Sequence, residues 1–270
     1  MSKSARQGTA REKLAEERKR QAARDKQRKL LLGVAGGLVL VSAAVVGFVV
    51  VKNNSGDGDG APKAVAYTGP LAPTTRQEDG SILMSKEGVA GPTLVVFEDF
   101  QCPACKSLDE AAGDALLKAA AEGKARVIYR PFQLFKAPSF AEPLPSVSRR
   151  GANAAFCAPA DKWASYAKTL YAHQPVEGKN GFENAELLSW ARDLGFYSAD
   201  FEKCVTGMQK AADIDKATKY AEEQKVQGTP TLKLNGKDLT QEQVGQIASS
   251  PAALDELLAA AGSSPAPSDQ

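Results

Sequence analysis

Histidine is almost missing from this chain of 270 residues, which carries one, His173. Cysteine is scarce as well: there are four, all beyond position 101. A closed tetrahedral metal site takes about four thiolate or imidazole ligands, and Cys102 and Cys105 with one distant histidine fall short of that. No metal is therefore expected, and His173 reads as a helix-end or packing residue. No internal repeat is visible, which argues against a repeat architecture. Lys+Arg number 34 against 32 Asp+Glu, so the net charge of +2 by itself selects no partner. Charge of either sign is absent from residues 30–51, LLLGVAGGLVLVSAAVVGFVVV.

That uncharged run has a physical meaning. Twenty-two helical residues extend about 33 Å, enough to cross a hydrocarbon core of roughly 30 Å. The apolar core of a cleaved export signal is about 7–15 residues. No small-x-small site follows closely, since Ala64-Val65-Ala66 lies too far downstream. Residues 30–51 are expected to be an uncleaved signal anchor, a single N-terminal transmembrane helix. Residues 10–29 hold nine Lys/Arg, whereas 52–71 hold only Lys52 and Lys63. The basic tail 1–29 should stay cytoplasmic and everything after Val51 should lie outside. The tail reads as a topology signal rather than a nucleic-acid or lipid site. Four cysteines confined to the exported side suit an oxidising compartment.

Residues 53–63, NNSGDGDGAPK, are polar and Gly-rich, and a flexible linker is expected over 52–80. The domain is expected over 81–262, long enough for one sizeable core, with a frayed tail at 263–270. Ser81–Ser85 reads as a short edge strand. Pro92–Phe100 is a continuous apolar run and so a central strand with both faces covered. Cys102 to about Ala121 reads as a helix and Ala125–Tyr129 as a strand. Val147–His173, Glu183–Leu194, Ala199–Met208 and Lys210–Lys225 have helical periodicity. Trp163, Trp190, Phe156 and Tyr166 are simplest as core. Thr231–Leu234 is a strand, and Asn235-Gly236 is a hairpin signal leading to Lys237–Leu239. Gln241–Ala261 is helical, interrupted at Pro251. A helical block inside an α/β frame points to an insertion, about 146–209, between two halves of one sheet.

Cys102-Pro103-Ala104-Cys105 is the centre of the functional reading. Two cysteines separated by two residues can form and open a disulfide within one helical turn. Cys102 stands where a strand hands over to a helix, and unpaired N–H groups there favour a thiolate. It is the expected nucleophile. Cys105, one turn inside, is the expected resolving thiol, and Pro103 suits the first helical turn, where its missing N–H is not needed. Cys157 and Cys204 read as a structural pair, the alternatives being a second redox relay or two free thiols.

Phe97-Glu98-Asp99-Phe100-Gln101-Cys102-Pro103-Ala104-Cys105, with Gly228-Thr229-Pro230-Thr231 far downstream, resembles the DsbA-like thiol-disulfide oxidoreductases, in particular the membrane-anchored actinobacterial type. The resemblance covers about 81–262 and implies a thioredoxin fold with a helical insertion. It implies a cis peptide at Pro230, facing the cysteine pair, with the Thr229 backbone placed to pair with a substrate strand. It also implies that Cys157 and Cys204 form a structural disulfide. The implied activity is that of a dithiol oxidase, the alternatives being a reductase or isomerase of the same fold and a non-catalytic anchored binding module. The implied partners are exported protein thiols and a quinone-linked membrane re-oxidase of the DsbB or vitamin K epoxide reductase kind. A monomer is expected, without a cofactor.

Two departures from that family stand out. Ala104 occupies the position where the best-known DsbA enzymes have a thiolate-stabilising histidine, which implies a weaker oxidant. Val96 occupies the position of the family's buried carboxylate. Glu98 and Asp99 are nearby substitutes, although a solvated strand end is the simpler expectation for Glu98.

Overall fold

The computed structural model describes residues 62–262. The expected membrane helix 30–51, the basic tail 1–29 and the tail 263–270 lie outside the described residues. Among the described residues, no helix is long and apolar enough to cross a membrane.

The strands are β1 (Thr74–Arg76), β2 (Ile82–Met84), β3 (Thr93–Glu98), β4 (Arg126–Pro131), β5 (Thr231–Leu234) and β6 (Lys237–Asp238). They form one sheet in the order β1-β2-β4-β3-β5-β6. Only β3 and β4 run parallel, joined by a helical crossover. The crossover is α1 (Pro103–Leu108), a π-helical turn (Asp109–Gly113) and α2 (Asp114–Glu122). After β4 come α3 (Leu144–Cys157), a 3₁₀ turn (Ala160–Lys162), α4 (Trp163–Ala172), α5 (Asn184–Asp193) and α6 (Ala199–Thr206). Then α7 (Ala211–Glu223) returns to the sheet, and α8 (Gln241–Ser249) and α9 (Pro251–Gly262) close the chain.

Strand β3 is central because both of its faces are covered. Leu94, Val96 and Glu98 share one face by alternation, and Leu94 and Val96 pack into the main core with Leu116 and Val127. Phe97, on the opposite face, packs with Phe132, Ala221 and Val226. Trp163, Tyr166 and Trp190 are buried in the main core, and Phe156 in a smaller cluster with Ile214. Asn235 (φ 49°) and Gly236 (φ 78°) make the β5–β6 turn, as the primed turn of a two-residue hairpin requires.

Three expectations need correction. The flexible linker expected over 52–80 does not describe residues 62–80, which are docked onto the domain (52–61 lie outside the described residues). Val65 N donates to Thr169 Oγ1 at 3.1 Å, Tyr67 N to Ser165 Oγ at 3.1 Å, and Trp190 Nε1 to the Pro62 carbonyl at 2.8 Å. Second, β2 is not an edge strand. It pairs with β4 on one side and with β1 on the other, through a turn in which Gln77 N donates to the Ser81 carbonyl at 2.8 Å. Third, the single helix expected over 147–173 is two, α3 and α4, because Pro159 cannot continue a helix.

Candidate active site

Strand β3 ends at Glu98, and five residues later the chain enters α1 with Pro103 at its first position. Asp99 fixes that turn. Its Oδ1 accepts Gln101 N at 2.8 Å, and its Oδ2 accepts Leu134 N at 2.8 Å and Ser148 Oγ at 2.6 Å. Asp99 therefore ties the turn to the loop after β4 and to α3. Burial lifts its carboxyl above the usual range, opposed by these donors.

Cys102 caps α1, and its carbonyl accepts the amides of Cys105 and Lys106. Both thiols are free and buried; Cys102 keeps 6% of its surface exposed and Cys105 keeps 3%. The hydrogen bond from the Cys105 thiol is the main reason that the Cys102 thiol is lowered to about 7, against burial, which raises it, and with further help from the Cys105 and Ala104 amides. Burial and the neighbouring sulfur drive Cys105 well above the ordinary thiol range. The two thiols are thus split into an ionisable outer one and a protonated inner one. Pro103 and Ala104 are exposed beside them, and Ala104 contributes its amide but no side-chain donor.

The Gly228–Pro230 segment, immediately before β5, completes the site from the other end of the domain. The Thr229–Pro230 peptide is cis, and the Thr229 carbonyl lies 3.2 Å from Cys102 Sγ.

A profile of the thioredoxin family matches residues 87–256. The chain belongs to that family. MdbA, a thiol-disulfide oxidoreductase from Corynebacterium matruchotii, superposes with a TM-score of 0.54 at 19% identity, over 68% of this chain and 92% of its own. BdbD from Bacillus subtilis gives 0.56 at 16% identity, over 73% and 100%. MdbA from Actinomyces oris gives 0.56 at 16% identity, over 67% and 88%. At such identities the likeness is one of fold. A search of curated protein sequences finds no match.

Behind Cys105 this thioredoxin domain holds a small cavity of about 20 Å³, lined by Glu98, Cys105, Asp109 and Pro230 among others. The expected solvated end for Glu98 is overturned: it is 5% exposed. Strand alternation puts it on the same face as Val96, one pleat further along, and Tyr171 from α4 covers it. Tyr171 Oη donates to Glu98 Oε2 at 2.9 Å. Burial raises the Glu98 carboxyl to about 8. Asp109 escaped the sequence reading. It follows Cys105 by four residues, a helical spacing that places both on one face, and burial raises it to about 6. Gly113 makes room for it, since a Cβ there would stand 2.6 Å from Asp109 Oδ1.

Cys157 at the end of α3 and Cys204 in α6 are joined with an S–S distance of 2.06 Å. His173 caps α4 and stacks on Trp190 with ring centroids 5.1 Å apart.

Proposed function

We propose that this chain is an extracytoplasmic dithiol-disulfide oxidoreductase, and that it works as an oxidase forming disulfides in exported proteins. The observation that carries the reading is the split cysteine pair: Cys102 lowered to about 7 at a helix start, Cys105 buried and protonated behind it, and the Thr229 carbonyl 3.2 Å from the outer sulfur. The uncharged run 30–51 and its basic flank support a single-pass anchor with the domain outside. A tether of that kind raises the effective concentration of the domain at the membrane.

In the oxidised enzyme a substrate thiolate attacks Cys102 Sγ. The Cys102–Cys105 bond breaks, its electron pair goes to Cys105 Sγ, and a mixed disulfide forms. Cys105 takes a proton, and Glu98, neutral at physiological pH, is the group in the shared cavity able to supply it. Asp109 returns a proton to Glu98 from the solvent side. A second substrate thiolate then attacks the substrate sulfur of the mixed disulfide, and Cys102 leaves as a thiolate. Two electrons now rest on the dithiol, and a quinone-linked membrane protein of the DsbB or vitamin K epoxide reductase kind is the fitting acceptor. The backbone of Thr229 is available to pair with the substrate strand.

A second reading draws support from one observation. A Cys102 value of about 7 matches thioredoxin, about 7, better than DsbA, about 3.5. A less stabilised thiolate makes a weaker oxidant, so a reductase or isomerase competes. The reduction potential decides: the oxidase reading expects a value toward that of DsbA, about −120 mV, and one at about −270 mV, as in thioredoxin, overturns it. Cys105→Ala should trap mixed disulfides with exported proteins in cells, and Cys102→Ser should trap none. A merely binding module would function normally with Cys102→Ser.

A further inference from the structure

Gln174 sits where the helical insertion meets the active-site turn. Its Nε2 donates to the Phe100 carbonyl at 2.8 Å and to the Cys102 carbonyl at 3.0 Å. These two carbonyls bracket Gln101, which returns the contact by donating its own Nε2 to the Pro175 carbonyl at 3.0 Å. Gln174 thereby fixes the turn that aims the Cys102 side chain. A donor on the Cys102 carbonyl also offsets the negative end of the peptide dipole nearest the sulfur.

Gln174 follows directly on His173, and His173 ends a ladder. Ser165, Thr169 and His173 recur every fourth residue and share one face of α4. They hold alternate residues of an extended segment. Ser165 Oγ accepts Tyr67 N at 3.1 Å, Thr169 Oγ1 accepts Val65 N at 3.1 Å, and His173 Nε2 lies 2.7 Å from the Lys63 carbonyl. Two strand residues rise about 6.6 Å and four helical residues about 6.0 Å, so the two repeats stay in register. Asp193 Oδ2 accepts Ala64 N at 3.1 Å, and Trp190, stacked on His173, donates to the Pro62 carbonyl. These bonds are made to the backbone of the segment, and its side chains add to the docking: Lys63 Nζ donates to Asp193 Oδ1 at 3.2 Å, and Ala64 and Tyr67 pack on the main core.

We propose that Gln174 is a positioning residue for Cys102, and that the segment 62–67, gripped by the Ser165–Thr169–His173 ladder, holds Gln174 in place. This rests on the thiol-exchange reading of Cys102. The segment that leads into the domain then acts on the redox couple, because its register on α4 sets the residue that pins the reactive turn.

The test compares full-length wild type with Gln174→Leu, which preserves bulk and removes both donors, and with Thr169→Val, which loosens the segment without touching the turn. The Cys102 ionisation constant is read from alkylation rate against pH, the redox couple from equilibration with glutathione, and folding from thermal melting. In Gln174→Leu the Cys102 ionisation constant and the oxidising equilibrium constant should each fall by about threefold or more, the scale of a lost hydrogen bond. Thr169→Val should move both the same way by a smaller factor. Wild-type constants in Gln174→Leu overturn the proposal, even if the melting temperature drops. Wild-type constants in Thr169→Val overturn the part assigned to the segment. Should Gln174→Leu not fold, Gln174→Asn, too short to reach either carbonyl, carries the same expectation. A wild-type pair that fails to exchange with glutathione overturns the underlying reading and this proposal together.

Discussion

Tyr171 Oη donates to Glu98 Oε2 at 2.9 Å, while Glu98 Oε1 is buried with no hydrogen-bond partner. A carboxylate held this way is costly to ionise, and its value of about 8 against an ordinary 4.5 fixes a pH window. Between those limits the unfolded chain has lost the proton and the native protein has kept it, so native stability falls as pH rises through the window. Glu98→Gln removes that loss and can keep the Tyr171 bond. It should stabilise the protein at pH 8 by on the order of a few kcal/mol and change little at pH 4. Urea midpoints measured across this range check it, and parallel curves for the two proteins would contradict it.

The Cys102 thiol should titrate with a midpoint near 7, and Cys105 should not titrate below pH 9. The sign follows from the depressed value: the stabilisation of the reduced protein by Cys102 is complete above the unfolded thiol value and is lost as pH falls through about 7. Reduction then takes up two protons below pH 7 and one above it. The slope of potential against pH should ease from about 59 to about 30 mV per unit on crossing that point. A constant slope from pH 5 to 9 would rule out the split pair.

Gly113→Ala should push Asp109 out of the cavity, because the new Cβ would meet Asp109 Oδ1 at 2.6 Å. If Asp109 feeds protons to Glu98, Gly113→Ala and Asp109→Asn should both slow exchange by about a hundredfold, the low end of the range for positioned acid–base groups. Both should also erase a pH dependence centred near 6. Stopped-flow turnover of a thiol peptide measures this. Unaltered profiles in both variants would leave Asp109 outside the chemistry.

Cys157 and Cys204 close a loop of 47 residues. Replacing both by Ala should cost about 4 kcal/mol on the chain-entropy relation. The Cys102–Cys105 potential should not move, because neither Cys157 nor Cys204 lines the cavity behind Cys105. Urea unfolding with a parallel glutathione equilibration gives both readouts. A shifted potential would mean that the second pair is a relay after all.

Much of the domain was legible because its signals are local. The continuous apolar run of β3, the Cys-x-x-Cys spacing, Asn235-Gly236 and Pro251 each act within a few residues. What escaped depends on partners remote in sequence. Glu98 resembles a solvated strand end until Tyr171, 73 residues on, covers it. The stretch 62–67 has the composition of a linker, yet its backbone is held by side chains 98 to 129 residues away, and composition carries no trace of that. Gln174 likewise has no local mark. Asp109 had one, its spacing of four from Cys105. The break at Pro159 was also visible and was outweighed by the helical period around it.

Cys102 and the carbonyl that faces it are separated by 127 positions. The two meet only because β5 pairs antiparallel with β3. The carbonyl beside the sulfur is thus a product of sheet closure, and a chain whose β5 has not paired holds both cysteines without it.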